Sequence, residues 1–225
     1  MSARDTILKR LHATRNHAFA NEADTTAEED SASPGATIEQ RMALFSEQLK
    51  SVQTEVHEVG RADWGERLLQ LTQKKGASNL LYAADVEPGA EIERTWSAAA
   101  DRTNLPELVA VDAIGDNWKS QLFNRIDAAV TTSRAGIAAT GSLVLWPDQR
   151  EPRLMSLAPP IHFALLNAEN LYATFEQMLT TEQWTKTDMP TNALLISGPS
   201  KTADIESTLA YGVHGPKQLV VLLLR

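Results

Sequence analysis

The chain has 225 residues, with 21 Lys+Arg against 29 Asp+Glu for a net charge of −8, and 43% of its residues are hydrophobic. That apolar content suffices for a core in a chain of this length, and the acidic balance argues against a nucleic-acid binder that presents a basic face. There is no cysteine, which excludes disulfides, thiolate metal sites, cysteine-held iron–sulfur clusters and a cysteine nucleophile.

Residues 1–36 read as a short N-terminal helix, carried by Ala3, Ile7, Leu8 and Leu11, followed by a flexible acidic linker over 21–36 that lacks large apolar residues. From Thr37 the pattern changes, and 37–225 reads as a single α/β domain. Ile38, Met42, Phe45 and Leu49 mark an amphipathic helix with Thr37 as its cap. A strand is expected over Thr54–Val59, a helix from Trp64 that stops near Gly76, a strand over Asn79–Ala83 and a helix from Pro88 to Arg102. Short apolar runs at Leu108–Val111 and Ala128–Thr132 flank a helix near Trp118–Arg125. Strands alternating with helices imply a mostly parallel sheet covered on both faces.

In the second half, Ser142–Trp146 and Arg153–Leu157 around a polar turn suggest a β-hairpin insertion. Ile161–Leu166 reads as a buried strand, Ala168–Thr180 as a helix, Ala193–Ile196 as a strand and Thr202–Tyr211 as a helix. The run Leu219–Leu224 is apolar without interruption, as a central strand buried on both faces requires. No apolar run approaches the roughly 20 residues needed to span a bilayer, and the N-terminus has no continuous apolar segment of secretory type. A cytoplasmic protein is expected.

Three segments can carry chemistry. The first, Ser197-Gly198-Pro199-Ser200-Lys201-Thr202-Ala203-Asp204, runs from a strand into a Gly-Pro turn and an expected helix. Unpaired N–H groups at such a helix start, joined by the Ser200 and Thr202 hydroxyls and the Lys201 ammonium, suit a carboxylate or phosphate oxygen. The same residues serve equally as a helix cap, with Asp204 offsetting the dipole. A nucleotide-binding P-loop is excluded, because Ser200 and Leu195 stand where that motif needs glycine. The second segment, Gly212-Val213-His214-Gly215-Pro216-Lys217, sets a histidine between glycines, where it can exchange a proton or simply bond to backbone. The third, Ala135–Ser142 with Thr140-Gly141-Ser142 at its end, precedes a strand, and its small residues let backbone approach a ligand or simply pack tightly. Apart from it, His162 stands at the entrance of another strand, where a lone histidine is more often structural than catalytic. No two histidines sit at a metal-ligand spacing, and Gly-x-Ser-x-Gly is absent.

The string Ile196–Glu206 followed by Gly-Val-His-Gly-Pro-Lys and an apolar strand, with Ala-Thr-Gly-Ser-Leu-Val-Leu at 139–145 and Leu-Ala-Pro-Pro-Ile-His at 157–162, resembles the lactate utilization protein C (LutC/YkgG-like, LUD domain) family. The resemblance covers roughly 50–225. It implies a Rossmann-like three-layer sandwich similar to the sugar-phosphate isomerase and CoA-transferase (NagB/RpiA/CoA transferase-like) group. It also implies a place in a bacterial system that oxidises L-lactate to pyruvate, with iron–sulfur subunits as partners and no such cofactor in this chain. Relatives often carry Arg where this chain has Lys201 and Lys217, and an acid where it has Ala139, so no catalytic role is carried to that position. The expectation is an accessory subunit that binds a small anion through Gly198, Ser200, Lys201, Thr202, Asp204, His214 and Lys217. Thr140, Gly141, Ser142 and His162 would face the same site, with His214 as proton donor. The rival expectations are an independent transferase or isomerase acting on a phosphorylated or CoA-linked substrate, and a pure assembly subunit.

Overall fold

A computed structural model describes residues 33–114, 118–184, 190–203 and 209–225. The N-terminal helix expected before this range lies outside the described residues, and the linker enters it only at its end. There Ala36 is buried and the Pro34 carbonyl accepts from Gln177 Nε2 at 3.3 Å.

Helix α1 spans Ile38–Ser51, and its start is a capping box: the Thr37 hydroxyl takes the Gln40 N–H while the Gln40 side chain takes the Thr37 N–H. Strand β1 (Glu55–Val59) leads to α2 (Trp64–Lys74), which stops before Gly76. Then come β2 (Asn79–Tyr82), α3 (Glu87–Ala98), β3 (Glu107–Ala110), α4 (Trp118–Arg125) and β4 (Ala128–Ser133). The second half holds β5 (Ala135–Ile137), β6 (Ser142–Leu145), β7 (Ile161–Asn167), β8 (Leu171–Tyr172), α5 (Phe175–Thr181) and β9 (Leu194–Ile196). Strands β10 (Lys201–Ala203), β11 (Leu209–Tyr211) and β12 (Gln218–Leu224) complete it.

Six strands form an all-parallel sheet in the order β1-β12-β7-β4-β2-β3. Side chains alternate across it. On one face Phe163, Leu165, Val220 and Leu222 pack with Leu68, Ile92 and Trp96 of α2 and α3. On the other, Ala164, Leu166, Val221 and Leu223 meet Met42, Phe45 and Leu49 of α1, together with Leu143 and Leu145. The latter belong to a smaller sheet, β8-β5-β6-β9, which with α1 makes the third layer. As expected for a strand covered on both faces, Leu219–Leu224 is buried throughout.

Three expectations fail locally. The hairpin exists, but it is β5–β6, joined through Gly141, and not Ser142–Trp146 with Arg153–Leu157. With β5 and β9 on its two edges, β6 has none left to offer, and Arg153–Ser156, started by Pro152, coils into a 3-10 turn that buries Met155. The helix expected over 168–180 is interrupted because Leu171 and Tyr172 pair with Gly136 and Ile137; α5 begins only after Thr174, whose hydroxyl caps it. The third is the helix expected over Thr202–Tyr211, of which 204–208 lie outside the described residues. Lys201–Ala203 is no helix start but a strand, antiparallel to Leu209–Tyr211.

Candidate functional site

Loss of that helix removes the donors on which the expected anion cradle rested. What replaces it is a ribbon anchored to the following loop: Ser200 N–H donates to the Pro216 carbonyl at 2.9 Å, and Gly212 N–H to the Ser200 carbonyl at 2.8 Å. Lys201 lies opposite Tyr211 in the ribbon and Thr202 opposite Ala210. Lys217 bonds through its main chain to the Pro160 carbonyl at 2.8 Å, and the Lys201 and Lys217 side chains are exposed. Asp204 lies outside the described residues.

The ribbon nonetheless brings several of the singled-out residues together. Gly198, Ser200, His214 and His162 line one cavity of about 260 Å³ at the amino ends of β7 and β12. Lys201, Thr202 and Lys217 do not line it. Thr140, Gly141 and Ser142 are elsewhere: the Thr140 and Ser142 hydroxyls bond each other at 2.8 Å, and Gly141 lies against Gln48 and Leu49 of α1. His162 is fully buried, its Nε2 2.8 Å from the Thr131 hydroxyl. Burial pushes its imidazole down to about 3, so it is neutral at pH 7 and supplies no charge to an anion.

A larger opening lies at the other end of the sheet. From β2 the chain crosses through α3 to β3 on one side, whereas β4, β7 and β12 build outward on the other. Between β2 and β4 the direction reverses, the point where open α/β sheets bind ligands beyond the carboxyl ends of their strands. Pairing of β2 with β4 is confined to Leu80–Ala128 and Leu81–Ala129, while β4 continues beside β7 to Ser133. Beyond the carboxyl end of β4 and the segment that follows β2, a crevice opens with two lobes of about 760 and 610 Å³ that share Val86, Thr132, Ser133 and Arg150. Asn167 and Leu224, at the carboxyl ends of β7 and β12, line its second lobe.

The crevice is polar. Glu151 reaches in from the loop after β6 and takes the Thr132 N–H at 3.0 Å and the Thr132 hydroxyl. Burial raises its carboxyl above the ordinary value, helped by the charge of Asp148 and opposed by the Thr132 hydrogen bonds and by Arg150. For Asp148 the balance is reversed. Burial works to raise it, but the main-chain N–H groups of Glu151 and Arg150 and the Arg150 guanidinium together hold it below the ordinary value. Two carboxyls three residues apart are thus driven in opposite directions, the arrangement that separates a proton donor from a permanent anion. Arg150 pairs with Asp148 at 2.7 Å; Arg134 pairs with Glu182 and lies 4.3 Å over the Trp146 ring. Ser133, also in the crevice, is 7% exposed and its hydroxyl has no partner.

None of these residues stood out in the sequence. The segment singled out after Ile196 follows β9, which belongs to the smaller sheet; the signal for the crevice is the polar run Thr131–Arg134 that closes an apolar strand. Among the described residues no three His, Asp or Glu gather as a metal site requires, and no helix is long and apolar enough to cross a membrane.

An uncharacterized protein of Neisseria meningitidis serogroup B, NMB1437, is 37% identical over 234 aligned residues, covering 100% of this chain and 94% of that one. A lactate utilization protein C of Macrococcus caseolyticus is 26% identical over 84% of this chain and 79% of its own length. YkgG of Escherichia coli, also uncharacterized, is 32% identical over 42% of each. The crystal structure of a DUF162 family protein from Deinococcus radiodurans has the same fold, with a TM-score of 0.59 at 15% identity, over 84% of this chain and 99% of that one. The sequence pattern of the LUD domain matches residues 42–224, and the chain belongs to the LUD domain family.

Proposed function

We propose that this protein serves lactate utilization as an accessory subunit, and that its ligand is a small carboxylate such as a 2-hydroxy or 2-oxo acid, bound in the crevice between β2 and β4. Lactate utilization protein C relatives support the place in lactate utilization. The observation that carries the carboxylate ligand is the crevice itself: Arg134 and Arg150 line it together with Glu151, whose carboxyl burial holds above the ordinary value. A guanidinium has five N–H donors, so each arginine can hold a ligand carboxylate while keeping its own acidic partner. Glu151 then faces the hydroxyl or carbonyl of the ligand as hydrogen-bond donor or proton carrier. A chain without cysteine would leave electron transfer to iron–sulfur partner subunits.

Calorimetric titration with L-lactate, pyruvate and inorganic phosphate tests the reading. The wild type should bind one of the two acids, and Arg134→Gln with Arg150→Gln should weaken it by about tenfold or more, roughly 1.4 kcal/mol. Lys201→Ala should change nothing. Equal affinity in the wild type and the double arginine variant removes the proposal. A second reading, an isomerase-type enzyme, draws on the opposed Asp148 and Glu151 carboxyls; turnover by the purified chain alone would favour it.

A further inference from the structure

The cavity at the amino ends of β7 and β12 has no part in the crevice, yet it is a built space. Its deepest polar group is the His162 ring. Nε2 is committed to Thr131, whereas Nδ1 is buried without a partner. Leaving a buried ring nitrogen unmatched is costly, and in native folds such groups usually meet a ligand or water. Around it stand Leu157, Ile196, Pro216 and Leu219, and among the described residues no Lys, Arg, Asp or Glu lines the cavity. The Ser197 and Ser200 hydroxyls and His214 add further hydrogen-bonding groups. At the lining Leu195 is 57% exposed, and Val213, next to His214, is 56% exposed. Apolar side chains left open to water at a cavity are what a ligand's apolar body would cover.

We infer that this cavity is a second binding site, for a small uncharged molecule that carries one hydrogen-bonding group on a branched apolar body. The polar group meets His162 Nδ1 and the apolar body covers Leu195 and Leu219. A carboxylate is disfavoured, since among the described residues nothing in the lining offers a permanent positive charge and a buried anion without one is costly. A primary amide suits best. The Thr131 hydroxyl can donate to Nε2 or accept from it, which leaves Nδ1 as donor or acceptor in turn, and an amide answers either.

The test titrates the full chain, carrying ¹⁵N-labelled histidine, with isobutyramide and with its charged counterpart isobutyrate at pH 7. Isobutyramide should shift the His162 ring nitrogens saturably, and isobutyrate should bind about tenfold more weakly or worse. Ser197→Trp, a change at an exposed position of the lining, should block the amide while its unfolding midpoint in urea matches the wild type. His162→Leu should abolish amide binding as well. Equal binding of isobutyrate overturns the assignment to uncharged ligands. An absent His162 shift, or unchanged amide affinity in a folded Ser197→Trp protein, overturns the site.

Discussion

Thr132 gives both its main-chain N–H and its hydroxyl to one carboxylate, that of Glu151, nineteen residues further along the chain. This pair ties the end of β4 to the loop after β6 and fixes an acid at the place where the parallel sheet reverses its winding.

The pH dependence of stability reports on that acid. Burial raises the folded-state value of Glu151 above the ordinary 4.5. A raised carboxyl contributes its stability fully below the unfolded value and loses it as the pH climbs through the folded one. Glu151→Gln is neutral throughout and escapes the loss. Its melting temperature relative to wild type should therefore rise as the pH climbs from the unfolded value through the folded one and level off above it, whereas an offset independent of pH would contradict the burial.

His162 works in the opposite direction. Its folded value is depressed to about 3 from the ordinary 6.5, so its stability is present above 6.5 and is lost as the pH falls toward 3. At about 1.4 kcal/mol per unit, the loss reaches roughly 5 kcal/mol below pH 3 and about half of that by pH 4.5. Urea unfolding of wild type and His162→Gln at pH 7 and 4.5 should show the wild type losing roughly 2–3 kcal/mol more than the variant. Equal losses would place the ring in water.

Two glycines should resist substitution for different reasons. A Cβ on Gly89, in the first turn of α3, would sit 2.5 Å from the carbonyl oxygens of Ala83 and Ala84, so Gly89→Ala must push the helix start away from β2. Overpacking of this kind costs about 1–3 kcal/mol, and because Val86–Pro88 line the crevice, the same change should weaken carboxylate binding. Gly141 has φ +57°, and a Cβ there would lie 2.7 Å from Gln48 Cβ. Gly141→Ala should lose about 1–3 kcal/mol and leave the crevice affinity as it was. Thermal unfolding and calorimetry on both variants separate the two effects.

Local signals carried the first half of the fold into the sequence. Thr37 and Gln40 announce the start of α1, Gly76 the end of α2, and the six apolar residues Leu219–Leu224 a strand sealed on both faces. The second half obeys distant partners. Leu171 and Tyr172 leave a helical pattern to pair with β5, and Thr202 opposes Ala210 in a ribbon whose anchors are Ser200, Gly212 and Pro216. No periodicity encodes such pairings. The sequence nonetheless brought His162, Gly198, Ser200 and His214 to notice, and they share a cavity. It could not indicate Glu151 and Thr132, because their meeting depends on the order in which the strands are laid down.

The central claim is that the reversal point between β2 and β4 holds a small carboxylate. A crystal of the protein grown with L-lactate or pyruvate measures this most directly. The acid should lie in the crevice, its carboxylate within hydrogen-bonding reach of Arg134 or Arg150 and its hydroxyl or carbonyl oxygen facing Glu151. An acid seated instead beside His162, or a crevice filled only by water at saturating concentration, would contradict it.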